Sequence, residues 1–197
     1  MSRIWECFLA KNMQLVPYSS RAYPDKLRHI AQPPYAIFCK GAMPDARKSV
    51  GIVGARMCSE YGRSIATKLG KLLADKDVQV ISGMALGIDS ASHAGALQGK
   101  GSTFAVLGCG CDVCYPKNAR NLYENIQSSG GGILSEYPPG TEPMPYRFPE
   151  RNRIISALSD CLVVVEAKKK SGSLITADAA LEQGKDVYAV PGRFGDA

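Results

Sequence analysis

Ser49-Val50-Gly51-Ile52-Val53, a helical pattern over Ser59–Ala74, and then Val78-Gln79-Val80-Ile81 decide the fold. Two short apolar runs separated by a helix-length segment read as one βαβ unit, with the strands parallel. The alternation continues to the end of the chain. Further strands are expected at Thr103–Leu107, Gly132–Leu134, Cys161–Glu166 and Val187–Val190. Helices are expected at Ile88–Gln98, Ala119–Ser128, Asn152–Ser159 and Leu174–Gln183, the last stopped by Gly184. The reading is α/β: an extended Rossmann-like, doubly wound, mostly parallel sheet with helices on both faces.

Residues 1–48 have a different texture. Tyr23-Pro24-Asp25-Lys26-Leu27 and Gln32-Pro33-Pro34-Tyr35-Ala36-Ile37-Phe38 are punctuated by proline. They predict a short helix and an edge strand leading into the sheet, without a long regular element. Two units follow: a lead-in over 1–48 and a Rossmann-like domain over 49–197. Pro191-Gly192-Arg193 closes the last strand just before the chain stops. A doubly wound domain would cover that strand with another helix, so a C-terminal truncation is expected.

Of 197 residues, 45% are hydrophobic and 20 are glycine, which fits a folded α/β protein and excludes a disordered one. The net charge of +6 is unevenly spread. Residues 1–49 carry 8 basic against 3 acidic side chains, whereas residues 50–143 carry 8 against 8. A broad basic surface on the sheet domain is therefore excluded, and any phosphate site must be local. Seven irregularly spaced cysteines do not make a secreted disulfide framework. Met1–Ala10 contains no signal-peptide core, and no stretch reaches transmembrane length. A cytoplasmic location is expected.

Ligands of open parallel sheets bind outside the carboxyl ends of the strands. The loops leaving those ends carry the unusual chemistry: Gly54-Ala55-Arg56, Ser82-Gly83 onward to Asp89, Tyr115-Pro116-Lys117-Asn118, and Ser171-Gly172-Ser173. Small residues ahead of helix starts let backbone N–H groups approach an anion. Phe148-Pro149-Glu150-Arg151-Asn152-Arg153 adds a ring and two guanidinium groups at the mouth of the fifth expected helix. An aromatic can stack on a base while arginine forks onto phosphate.

Catalytic signatures are scarce. Gly95–Ser102 misses the P-loop spacing and follows a helix, and Gly108-Cys109-Gly110 lacks the third glycine of the dinucleotide fingerprint. His93 stands four residues after Asp89, one helical turn on, which suits either chemistry or a local Asp–His hydrogen bond. Cys109, Cys111 and Cys114, with Cys58 as a fourth ligand, could begin a metal site, or could be plain free thiols. Lys168-Lys169-Lys170 reads as a solvated turn or as nonspecific phosphate attraction.

The ordered motifs resemble the DNA-processing protein A family (DprA, also called Smf). They are Ile52–Arg56, Ile81–Asp89 with His93, Tyr115–Asn118, Leu134–Gly140, Phe148–Ser156, Ser171–Thr176 and Val190–Gly192. The resemblance implies single-stranded DNA binding, protection of incoming DNA and loading of the RecA recombinase in natural transformation. It also implies a homodimer, no cofactor, no resident metal and no catalytic turnover. Carried over by motif, the DNA-binding rim would comprise Gly54, Arg56, Ser82, Gly83, Lys117, Phe148, Arg151, Asn152, Arg153, Ser171 and Gly172. Arg151 and Arg153 stand about 200° apart on a helix. One should therefore reach DNA, with Arg151 favoured, while the other braces the loop through Glu136. Two rival readings stand beside this one. The first is a nucleotide-processing enzyme of the phosphoribohydrolase (lysine-decarboxylase-like) type, whose Pro-Gly-Gly-x-Gly-Thr loop is not found here. The second is a protein-interaction scaffold with merely tight turns.

Overall fold

A computed structural model describes residues 13–192. The Met1–Ala10 opening and Arg193 lie outside the described residues. Eight strands form one sheet in the order β1-β2-β6-β5-β4-β3-β7-β8. The strands are β1 Met13–Pro17, β2 Ala36–Gly41, β3 Ser49–Val53, β4 Gln79–Ser82, β5 Thr103–Val106, β6 Gly132–Ser135, β7 Cys161–Val164 and β8 Asp186–Ala189. From β6 across to β8 every pairing is parallel, while β1 and β2 add on antiparallel. The sheet is the expected mostly parallel one. Its central strands β4, β5 and β6 are buried at every residue, as strands covered on both faces must be.

The helices are α1 Asp25–Arg28, α2 Glu60–Asp75, α3 Ile88–Ala96, α4 Arg120–Ser128, α5 Arg147–Leu158 and α6 Gly172–Glu182. On one face α2 packs on α3, and α4 adjoins α3; on the other α5 packs on α6 and α1. The buried positions of α2 are Gly62, Ala66, Gly70 and Ala74, a small-residue stripe at four-residue spacing. That stripe lets the α3 backbone come close, since a Cβ at Gly70 would run into the Ser92 carbonyl. On the opposite face Tyr23, Leu27 and Ile37 of the lead-in share a core with Ile154, Ile155 and Leu158. Each such buried side chain contributes roughly 1.5–3 kcal/mol of transfer free energy.

Two expectations change. The strand at Ala36–Gly41 is not an edge, because β1 pairs with it on its outer side. Met13–Pro17 escaped notice because an edge strand that buries only Met13 and Val16 has little apolar signal. The fifth helix begins five residues earlier than expected, at Arg147. Pro149 falls in its first turn, where a missing N–H leaves no hydrogen bond unmade.

Candidate nucleic-acid interface

Strand β3 is the turning point of the sheet: the chain winds from it to β4, β5 and β6 on one side, then returns to β7 on the other. The loops leaving β3 and β7 therefore diverge toward opposite faces and open a crevice between them. A cleft of about 330 Å³ occupies this position. Its walls bring together Gly54, Arg56, Phe148, Arg151, Asn152, Ser171 and Gly172 of the expected rim.

The ring of Phe148 is the centre of the rim. Tyr115, from the loop after β5, stacks on it at 5.4 Å between centroids. The Arg56 guanidinium lies 5.5 Å from the same ring, in cation–π range. Arg56 is exposed and makes no ion pair among the described residues. Lys117, in a single 3₁₀ turn two residues past Tyr115, is also exposed and likewise without a carboxylate partner among them. A smaller hollow, about 60 Å³, lies against Phe148 and reaches Gly83 and Tyr115.

Arg151 forms the floor and not the rim. It is 4% exposed, and its Nη1 donates to the Gly83 carbonyl at 2.9 Å and to that of Val106. Burial lowers its pKa to about 10, with Asp89 pulling the other way, so it stays charged at neutral pH. Asp89 is buried beside it and accepts from the backbone N–H groups of Gly83 and Ala85 at 3.2 and 3.4 Å. Burial outweighs Arg151 there and raises the Asp89 pKa to about 6. Gly83 must be glycine: a Cβ would stand 2.8 Å from both Arg151 Nη2 and Asp89 Oδ2. The arginine expected to reach DNA thus lines the cleft from within. Only a group that enters the cleft could approach it.

Arg153 points away, as two-residue spacing on a helix requires. Its Nη1 and Nη2 donate to the two Glu136 oxygens at 2.8 and 2.7 Å, and Nε donates to the Gln32 carbonyl at 3.1 Å. It ties the lead-in to the sheet domain. Asn152 is spent similarly: Nδ2 donates to the Gly172 carbonyl at 3.1 Å, clamping α5 to the start of α6. Ser82 leaves the rim altogether, since its Oγ donates to the Ile52 carbonyl at 2.6 Å inside the sheet.

The Asp89–His93 hydrogen bond does not form. Thr103 Oγ1 gives its proton to the Val80 carbonyl, so His93 Nδ1 must donate to Thr103 Oγ1, at 2.6 Å. Burial lowers the His93 pKa to about 3, which keeps the ring neutral. Cys109 and Cys111 are buried thiols whose pKa values rise to about 11 and about 12 on desolvation. Cys109 Sγ donates to the Val113 carbonyl and Cys114 Sγ to that of Pro116. Among the described residues no three His, Cys, Asp or Glu side chains are grouped to hold a metal. Lys168, Lys169 and Lys170 are exposed on the turn between β7 and α6.

Sequence reasoning missed the part played by Glu166. Its carboxylate accepts from Ser59 N at 3.0 Å and Ser59 Oγ at 2.8 Å, closing the N-terminus of α2. In dinucleotide-binding folds the first helix N-terminus holds the pyrophosphate. Here the protein's own anion fills it, and a Cβ at Gly62 would already collide with that carboxylate. The available signal was a lone carboxylate at the end of an apolar strand.

Comparison with known proteins agrees with the geometry. The family model described as DNA recombination-mediator protein A matches residues 14–197. The DNA processing protein DprA of Bacillus subtilis is 41% identical over 198 residues, covering 100% of this chain, and the chain spans 66% of that relative's length. The X-ray structure of DNA processing protein A from Streptococcus pneumoniae superposes with a TM-score of 0.85 at 39% identity, over 97% of this chain and 68% of that one. DNA processing protein A from Helicobacter pylori, whose structure is described in terms of its single-stranded DNA binding mode, gives 0.80 at 29% identity. That superposition covers 94% of this chain and 83% of the Helicobacter one. The chain belongs to the DNA recombination-mediator protein A family.

Proposed function

We propose that this chain binds single-stranded DNA by drawing a nucleotide into the cleft between Arg56 and Ser171, with the base against Phe148. The observation that carries this reading is the rim itself: a half-buried ring stacked on Tyr115, with the Arg56 guanidinium 5.5 Å from its centroid and in no ion pair among the described residues. Aromatic rings recognise any unstacked base, and cations at the rim supply phosphate contacts. A duplex keeps its bases stacked inside and presents none of them to such a cleft. The binding mode named for the Helicobacter relative supports the same polymer. In the cell the chain would act in the cytoplasm as a homodimer, shielding incoming single strands and delivering them to the RecA recombinase.

The role is binding and not turnover. A nucleotide-processing enzyme would need a carboxylate free to meet a ribose. Asp89 is held by two backbone N–H groups, and Glu166 is committed to α2. His93 is wholly buried and bonded to Thr103. The test is a titration of a fluorescein-labelled oligothymidylate against a duplex of equal length. Tighter binding of the single strand is expected. Equal affinity for the duplex, or turnover of a nucleoside monophosphate, would contradict the proposal.

A further inference from the structure

We infer a second base-stacking subsite, formed by Tyr137, Arg147 and Tyr146, that takes the next base of the strand whose first base lies against Phe148. The inference rests on the cleft reading above. The Arg147 guanidinium lies 5.0 Å from the Tyr137 ring centroid and 5.4 Å from that of Tyr146. Arg147 Nη1 donates to the Glu142 carbonyl at 2.5 Å, and the Tyr137 hydroxyl donates to Glu150 Oε2 at 2.8 Å. Both groups are thereby held in place before any ligand arrives. Tyr146 is 55% exposed, a large ring left in water at the outer end of the cluster.

Position links this cluster to the cleft. Arg147 and Phe148 are consecutive residues in the first turn of α5. Side chains of consecutive helical residues diverge by about 100° while their Cα atoms stay about 3.8 Å apart. One helical turn therefore holds Phe148 into the cleft and Arg147 outward against its two tyrosines. A strand leaving the cleft past Pro145 and Phe148 meets Tyr146 next.

The charges nearby say what kind of contact this is. Glu136 is paired with Arg153, Glu150 holds the Tyr137 hydroxyl, and the Glu142 carboxylate is exposed. A face with this much acid does not attract phosphate. Its contribution is stacking on ring and guanidinium planes, which is insensitive to salt, unlike the counterion-releasing contacts of Arg56 and Lys117.

The experiment measures affinity for fluorescein-labelled thymidylates from the mononucleotide up to about twelve residues, at several salt concentrations. The proteins compared are the wild type, Tyr146→Ala, Tyr146→Phe and Phe148→Ala. Tyr146→Ala should weaken binding of every oligomer of two or more residues roughly 5- to 50-fold, with the salt slope unchanged, and should leave the mononucleotide unaffected. Tyr146→Phe should retain wild-type behaviour because it keeps the ring. Wild-type affinity of Tyr146→Ala at every length, alongside a loss in Phe148→Ala, would overturn the second subsite alone. Loss at every length, mononucleotide included, would show that Tyr146 belongs to the cleft and is no separate subsite. If Phe148→Ala binds like wild type, the cleft reading fails first.

Discussion

Two helices start at the same edge of the sheet, beside neighbouring strands, and their N-termini have opposite fates. At α2 the cap is tied to the protein's own carboxylate: Glu166 accepts from Ser59 N and Oγ, and Ser59 Oγ accepts from Gly62 N. At α6 the first residue, Gly172, stays open to solvent. Ser171 makes no side-chain cap bond, its Oγ pairs instead with Ser173 Oγ at 2.7 Å, and Gly172 has nothing within 4 Å of where a Cβ would stand. The fold thus presents two anion cradles and blocks one with its own carboxylate. The cleft between the β3 and β7 loops stays open beside it.

The comparison can be broken or sharpened by substitution. The largest effect is expected at the floor that underlies both loops. Arg151→Met leaves the Gly83 and Val106 carbonyls without their donor and Asp89 without its nearest cation. A loss of about 3–5 kcal/mol of unfolding free energy should appear in urea denaturation. A variant as stable as wild type would mean that Arg151 is a ligand contact and not a floor. Phe148→Ala should come next, weakening oligothymidylate binding by about 1–3 kcal/mol with little change in fold stability. Gly172→Glu would make α6 resemble α2 by placing a carboxylate at its open start. The site has room for the side chain, so the fold should persist while single-strand affinity falls roughly tenfold, as one lost charge-assisted contact would cost. Unchanged affinity would remove the α6 terminus from the site. The smallest effect belongs to Glu166→Gln, which weakens the closure of α2. About 1 kcal/mol of stability should be lost by thermal or urea unfolding, with single-strand affinity unchanged.

Much of this was legible before any coordinates. β3 begins and ends at the residues expected, because a short β-branched run flanked by turn residues has one reading. The loops that form the cleft were also visible, since small residues and cations cluster after strand ends. Other parts were not legible, for physical reasons. Glu166 plugs α2 only because β7 pairs beside β3, and strand order is a tertiary fact that no local pattern carries. Arg151 and Arg153 are chemically identical two residues apart, and helix geometry said that they diverge but not which faces the sheet. The α5 start was misplaced because Pro149 breaks a helix interior yet is tolerated in a first turn.

The central claim is that Arg56, Lys117 and the Phe148 ring, and not a general basic surface, hold a single strand. The most direct measurement is the salt dependence of oligothymidylate affinity in the wild type, Arg56→Ala and Lys117→Ala. Each variant should bind more weakly, and the slope of log K against log salt should become shallower by about one contact per substitution. Wild-type affinity and wild-type slope in both variants would contradict the account.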